Sequence, residues 1–205
     1  SAAKEYLKVY GVLVGKKPII FTNNDSGYET AIEFKKNGID PIVLDTRKDP
    51  NSEIIKEAKD LNINIKSSYV VVAAKGYKKV NSADIAKISD DKKNISNIEN
   101  IKCDCICVSG FWTPTIHLAS QSGNKTKFNE DIDAFVPGIS KQNETTLGAA
   151  NGSYTLNETL KSSFETGYEL SKKITNKENK VSFPNVIEKK STVHDKFWCV
   201  PLPKG

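Results

Sequence analysis

Three residues, Thr22, Asn24 and Gly27, stand at the spacing of the glycines in the G-x-G-x-x-G turn that binds dinucleotides. In a working turn, the first glycine allows a tight bend and the second lets the backbone approach the pyrophosphate. The third lets the following helix pack closely on the strand. Only the third is present here, because Thr22 and Asn24 replace the other two. The spacing predicts a dinucleotide-binding fold, whereas the substitutions argue against nucleotide binding at this turn.

A second candidate pair, Asp45 and Arg47, lies where the next predicted strand ends. In working domains, an acidic residue at this position binds the adenosine ribose and favours NAD over NADP. The alternative interpretation is that Asp45 is a solvated residue at a strand end. We favour the alternative, because the first two glycines are missing.

The elements that must position these residues alternate between helix and strand. Short connections between strand, helix and strand predict a right-handed βαβ unit and a parallel sheet. Hydrophobic spacing and turn residues predict helices over 2–10 (ended by Gly11), 26–37 and 52–61, and strands over 18–21 and 41–45.

The pattern then changes to consecutive strands, which predicts an antiparallel β-meander carried on the parallel sheet. The polar stretch 89–100 is rich in Asn, Asp and Ser and predicts a surface loop. The complete prediction is a Rossmann-like α/β fold with three layers. The predicted later strands are 63–65, 69–75, 78–88 and a return to the sheet at 101–108.

Cys103, Cys105 and Cys107 alternate along the last of these strands. Residues two apart share a face but are about 6.6 Å apart along a strand, so three sulfur atoms do not converge on one metal ion. The same separation disfavours a disulfide within the run. We interpret the three as small apolar side chains on a buried strand.

Composition excludes several function classes. The net charge of +5 comes from 30 basic and 25 acidic residues that are scattered along the chain, which argues against a nucleic-acid partner. The two histidines, His117 and His194, belong to no recognisable metal-ligand motif, so no metal site is predicted. No apolar run is long enough to cross a bilayer and no signal peptide is recognisable, which predicts a cytoplasmic protein without a membrane partner.

Four stretches carry a family resemblance: FTNNDS at 21–26, VSGFWTPTIHL at 108–118, QSG at 121–123 and GAANG at 148–152. In this order they resemble the alpha subunit of heterotetrameric sarcosine oxidase, over nearly the whole chain. That family lies among the flavoprotein oxidoreductases with two dinucleotide-binding domains, the second inserted into the first. The resemblance implies that this chain corresponds to a middle segment of a longer subunit.

The resemblance also implies a domain organisation. Residues 1–10 correspond to an N-terminal helix or linker, and residues 11–108 to the inserted NAD(P)-binding-like domain. Residues 109–178 correspond to the returning, C-terminal half of the first FAD/NAD(P)-binding domain, and 179–205 to a linker toward a folate-binding domain.

The family enzyme oxidatively demethylates sarcosine to glycine, makes hydrogen peroxide and passes a one-carbon unit to tetrahydrofolate. By the resemblance, NAD replaces the FAD of related reductases in the alpha subunit, FMN lies at the alpha/beta contact, and the amine-oxidising flavin belongs to the beta subunit. The implied partners are the beta, gamma and delta subunits and the remaining parts of the alpha subunit. No catalytic residue is expected on this chain.

Only the segment 148–156 and Gly110 correspond to the NAD pocket. Related reductases have a Gly-Asp pair where this chain has Gly148 and Ala149, and loss of that carboxylate suits NAD better than FAD. The NAD-lining residues implied are Gly110, Gly148, Ala149, Ala150, Asn151 and Tyr154. The alternative is that 148–152 is only a strand-to-helix turn.

Two other functions remain open from the sequence. One is a stand-alone NAD(P)H-dependent oxidoreductase domain, which would require an intact glycine turn and a redox residue pair. The other is a non-catalytic interaction module, since half a domain leaves an apolar sheet edge uncovered.

Overall fold

A computed structural model describes residues 2–110, 112–176, 182, 186, 195–197 and 199–201. The chain divides into two compact units. Unit 1 contains residues 1–111 and 191–205, and unit 2 contains residues 112–190. His194 lies outside the described residues, so its predicted role stays a prediction.

Unit 1 is built from three helices and seven strands within the described residues. In chain order they are α1 (Ala2–Tyr10), β1 (Pro18–Thr22), α2 (Ser26–Lys36), β2 (Ile42–Asp45), α3 (Glu53–Asp60), β3 (Asn64–Ser67), β4 (Tyr69–Gly76), β5 (Val80–Ile88), β6 (Ile95–Lys102) and β7 (Cys105–Ser109).

Four of these strands form a parallel sheet in the order β3-β2-β1-β7. The strands β1, β2 and β3 proceed in one direction across the sheet, and β7 lies on the opposite side of β1. The carboxyl ends of β1 and β7 therefore flank a topological switch point, where open α/β sheets bind their ligands. In this register Thr22 pairs with Ser109 on one side and with Asp45 on the other.

The two faces of the parallel sheet bury different side chains. Ile20, Phe34 and Val43 belong to a core between the sheet and its helices. On the opposite face, Ile19 and Leu44 pack with Ile85 of β5. The meander β4-β5-β6 is a separate antiparallel sheet rather than an extension of the parallel one. Helices, parallel sheet and meander make three layers, which confirms the predicted fold class.

Most predicted elements of unit 1 are confirmed to within two residues at each end, and two predictions are wrong. The predicted loop 89–100 contains most of β6, which pairs with β5 and exposes many of its polar side chains. An exposed strand has no need of apolar alternation, so composition alone indicated a loop. The predicted continuous strand 101–108 is interrupted at Cys103 and Asp104, between β6 and β7.

Unit 2 contains fewer helices and strands than unit 1 among the described residues. Phe128 and Phe135 face each other across its hairpin, with ring centroids 5.3 Å apart in an edge-to-face arrangement. No helix among the described residues is long and apolar enough to span a membrane. The elements of unit 2 are α4 (His117–Gln121), β8 (Thr126–Asn129), β9 (Ala134–Pro137), a 3₁₀ turn (Gly148–Asn151) and α5 (Leu156–Thr175).

Candidate functional site

The turn after β1 is closed by its own side chains. Thr22 Oγ1 donates to the carbonyl of Asn24 at 2.8 Å and accepts from its backbone amide at 3.2 Å. Asn24 Oδ1 accepts from the backbone amide of Ser26 at 2.9 Å, and the backbone amide of Asn23 donates to the carbonyl of Ser109 at 3.4 Å. In a phosphate-binding turn, amides at these positions point at the ligand. Here three of them are bonded within the chain.

Asn24 also fills the switch point. Its Nδ2 donates to the carbonyl of Ser109 at 3.3 Å and to the carbonyl of Gly110, so the side chain bridges the ends of β1 and β7. Ser26 and Ser109 are joined by their hydroxyls at 2.6 Å. A glycine at position 24 would leave this space to a ligand, whereas asparagine occupies it with satisfied polar atoms.

Gly27 retains the packing role that its position in the motif predicts. A Cβ added to Gly27 would lie 2.6 Å from both Cβ and Oγ1 of Thr22, which is far inside van der Waals contact. The close approach of α2 to β1 therefore requires glycine at this position, and this part of the motif interpretation is confirmed.

Asp45 is not solvated, so our preferred interpretation of this residue is wrong. Its side chain is fully buried. Tyr28 donates its hydroxyl to Asp45 Oδ2 at 2.7 Å, and Arg47 donates from Nη2 to the same oxygen at 2.8 Å. Arg47 also donates from Nη1 to Asp25 Oδ1 at 2.9 Å. The carboxylate that would read a ribose is thus held in a buried network.

The network shifts the titration of its members. Burial raises the pKa of the Tyr28 hydroxyl, and the neighbouring Asp45 carboxylate raises it further. Burial alone would lower the pKa of Arg47, but the hydrogen bonds and charges of Asp45 and Asp25 outweigh it, so the pKa of Arg47 is raised. Tyr28 is therefore neutral and Arg47 charged at neutral pH.

A crevice of about 180 Å³ remains at the switch point. Small-molecule sites usually measure roughly 300–1,000 Å³, so this space is too small for a dinucleotide. Its walls are largely apolar and come from the ends of β1 and β7, from Thr46 after β2, and from the C-terminal residues Phe197, Cys199 and Val200. Gly110 is the one predicted NAD-lining residue among its described walls.

The other predicted NAD-lining residues lie in unit 2, where they form a turn leading to α5. Gly148 is buried with φ +66°, and an added Cβ would lie 3.1 Å from Cγ2 of Thr159. Ala149 and Asn151 are exposed. Gly152 has φ +86°, and a Cβ there would lie 2.5 Å from Ile132. The turn thus needs glycine at two positions and presents small side chains to the surface between them.

Tyr154 and the start of α5 complete this region. The Tyr154 hydroxyl donates to the carbonyl of Trp112 at 2.9 Å, and their ring centroids are 6.3 Å apart. Thr155 caps α5 by accepting from the backbone amide of Glu158 at 3.2 Å. Gly148, Ala149, Ala150, Asn151 and Tyr154 thus lie in one short stretch of unit 2, in which Gly148 is buried while Ala149, Asn151 and Tyr154 are exposed.

The cysteines are divided between two layers. Cys103 is buried against the meander, whereas Cys105 and Cys107 are half-buried on β7 with their sulfur atoms 3.7 Å apart. Burial and the neighbouring Cys105 raise the pKa of the Cys107 thiol to about 12. The interpretation as three alternating residues of one strand is therefore wrong for Cys103, which precedes β7. All three are free thiols, and no group of three or more candidate metal ligands occurs within the described ranges.

His117, the other predicted non-ligand, is exposed at the start of α4. The network around Tyr28 is not predicted from the sequence, although a buried tyrosine hydroxyl needs a hydrogen-bond partner and could have indicated one. The C-terminal residues at the crevice are not predicted either, because nothing in their local sequence points to residues of β1 and β7 far away along the chain.

No family model matches the chain. Among characterised proteins, it is 28% identical over 152 residues to sarcosine oxidase subunit alpha of Corynebacterium sp. strain U-96, and 31% identical over 152 residues to that of Rhizobium meliloti strain 1021. These matches cover 74% and 73% of this chain but only 16% and 14% of the relatives. The chain therefore corresponds to a short segment of the proteins that it resembles.

Two solved structures were compared with the chain, and one of them has a similar fold. The flavoprotein disulfide reductase RclA of Escherichia coli superposes with a TM-score of 0.56 at 14% identity, over 77% of this chain and 36% of that chain. T. acidophilum thioredoxin reductase matches 66% of this chain and 47% of its own, with a TM-score of 0.48 and 14% identity. At this level of identity the RclA likeness shows the fold alone.

Proposed function

We propose that this chain, which is related to a segment of the alpha subunits of sarcosine oxidase, is a scaffold and nucleotide-binding segment of such a subunit. The complex would oxidatively demethylate sarcosine to glycine, form hydrogen peroxide and transfer a one-carbon unit to tetrahydrofolate. The beta, gamma and delta subunits would be its partners, with the amine-oxidising flavin in the beta subunit and FMN at the alpha/beta contact, and the chain itself would carry no catalytic residue.

The observation that carries this proposal is the state of the switch point in unit 1. Three backbone amides of the turn are hydrogen-bonded within the chain, and the Asn24 side chain fills the space that a glycine would leave open. The Asp45 carboxylate accepts hydrogen bonds from Tyr28 and Arg47. A unit with this geometry keeps the nucleotide-binding fold as a packing module. That role fits a non-catalytic part of a larger oxidoreductase.

NAD would instead contact the turn that precedes α5, with the rest of the subunit completing the pocket. The exposed small side chains of Ala149 and Asn151 leave the backbone of the turn open to a ligand. Tyr154, fixed by its bond to Trp112, would border the same surface. When bound, NAD would add structural support or redox capacity to the complex, and the residues of this chain would only bind and orient it.

The stand-alone oxidoreductase is the weaker alternative, because it needs a nucleotide at the closed switch point of unit 1. The interaction module differs from our proposal only in lacking NAD. Neither alternative has an observation in its favour that the scaffold role does not explain equally well.

The proposal is tested on the native protein. An antibody raised against this chain is used to purify the endogenous protein with its bound partners, and sarcosine-dependent oxygen consumption and peroxide formation are measured. We expect both activities, together with co-purifying subunits. Purification of a protein that lacks associated subunits and does not oxidise sarcosine would refute the assignment.

The NAD site is tested separately by a matched pair of variants, Ala149→Asp and Ala149→Asn, introduced into the same complex. Both side chains have nearly the same size at an exposed position, but only aspartate adds a negative charge near the phosphates. We expect Ala149→Asp to lose bound NAD and Ala149→Asn to retain most of it, as measured in acid extracts of the purified complex. Equal NAD content in both variants would place the cofactor elsewhere.

A further inference from the structure

The C-terminal residues of unit 1 are joined to the turn after β1 by two hydrogen bonds, one between backbone groups and one from the side chain of Asn23. We call residues 195–197 and 199–201 the strap. The amide of Asp195 donates to the carbonyl of Asn23 at 3.0 Å, and Asn23 Nδ2 donates to the carbonyl of Asp195 at 2.9 Å. These two bonds attach the strap at the position where a dinucleotide would pass over the turn.

The side chain of Asp195 joins two further parts of unit 1. Its carboxylate accepts from Thr46 Oγ1 at 3.2 Å and from Lys92 Nζ. Thr46 follows β2, and Lys92 lies in the connection between β5 and β6. The Asp195 side chain is only 15% exposed. One carboxylate therefore connects the residue that follows β2 of the parallel sheet to the β5–β6 connection of the meander.

The apolar residues of the strap cover the same region. Phe197 and Val200 pack against a cluster formed by Val70, Ala86 and Ile88 of the meander. Together with Cys199 they also form one wall of the crevice at the switch point. The strap thus combines a polar attachment at Asp195 with an apolar contact two to five residues later.

We propose that the strap is an intramolecular closure of the nucleotide crevice, pinned by Asp195, and that it takes the place of a dinucleotide in unit 1. Asp195 supplies a negative charge to Thr46 and Lys92 and backbone partners to Asn23. This role concerns unit 1 alone, so it does not depend on sarcosine oxidation or on the proposed NAD site in unit 2.

Hydrogen exchange of the intact chain, followed by NMR, tests whether Asp195 attaches the strap. Lys92→Met removes the cation that binds Asp195, and Lys93→Met is the matched control, because Lys93 is the exposed neighbour. Loss of one charge-assisted hydrogen bond should speed exchange of the Asp195 amide about tenfold. Lys93→Met should leave that amide at the wild-type rate.

Two results would overturn the closure. One is a wild-type Asp195 amide that exchanges as fast as in a free peptide, and the other is an equal rate in both lysine variants. Addition of NAD gives a third, independent readout. We expect the amides of Asn23 and Asp195 to keep their positions in the spectrum at millimolar NAD. A saturable shift of both would show that unit 1 admits a dinucleotide.

Discussion

Arg47 pairs with two buried carboxylates, those of Asp25 and Asp45, in the interior of unit 1. It donates from Nη2 and Nε to Asp45 at 2.8–3.3 Å and from Nη1 to Asp25 at 2.9 Å, while only 11% of its side chain is exposed. Arg47→Met keeps much of the aliphatic stem but leaves two buried carboxylates without their cation. Removal of one partner from a buried ion pair lowers stability by about 3–5 kcal/mol. We expect a loss in this range.

The matched control is Lys48→Met at the next position. Lys48 pairs with Asp90 at 2.6 Å, but the two side chains are 66% and 73% exposed. Exposed pairs contribute little to stability because water screens them, so the control variant should stay close to the wild type. The contrast between adjacent positions isolates burial as the cause.

The assay is native-state hydrogen exchange of the amides of Val43 and Leu44, which lie in the buried strand β2. These amides report the free energy of unfolding of unit 1 without requiring both units to unfold together. The double variant Arg47→Met with Asp45→Asn should recover part of the loss, because it removes one buried charge. A loss below about 1 kcal/mol in Arg47→Met, or one equal to that in Lys48→Met, would refute the reasoning.

Three further predictions concern single positions. Gly27→Ala should lower the stability of unit 1 by about 1–3 kcal/mol, because the added Cβ would lie 2.6 Å from Thr22. Gly167→Ala in α5 is the control: its Cβ would have nothing within 4 Å, so it should raise helix stability by roughly 0.5–1 kcal/mol. Thermal unfolding of both variants tests these opposite signs. Burial alone would raise the pKa of Asp104, but the backbone amides of Lys16 and Lys17 donate to its carboxylate, so the pKa is lowered. The Asp104 carboxylate therefore stabilises the folded protein above the ordinary aspartate pKa of about 3.9, and this stabilisation is lost as the pH falls through the lowered pKa. In unfolding curves recorded over a series of pH values, Asp104→Asn should show a weaker dependence of stability on pH in the acid range. Cys107, with its pKa raised to about 12, should react with iodoacetamide at pH 8 more than about 100-fold slower than a free cysteine, and a comparable rate by mass spectrometry would contradict its burial.

The errors of sequence interpretation have a common physical origin. Strand β6 was predicted as a loop because a half-exposed strand tolerates a polar composition, and only pairing with β5 makes it a strand. Asp45 was predicted to be solvated because local sequence does not show that Tyr28 and Arg47 converge on it. Both errors concern contacts between separate elements, which the local pattern of one element does not show.

The sequence by itself determined the βαβ unit of unit 1, the two strands β4 and β5, and the packing role of Gly27. Those features depend on short-range patterns: the apolar periods of β1 and α2, the end of α1 at Gly11, and the steric need for Gly27 against Thr22. Tertiary structure alone decided which polar groups are paired. Asn24 reaches the end of β7, and Asp195 reaches Asn23, Thr46 and Lys92 from the far end of the chain. Hydrogen bonds between residues so far apart leave no periodic signal, because they depend on where the folded backbone brings each side chain.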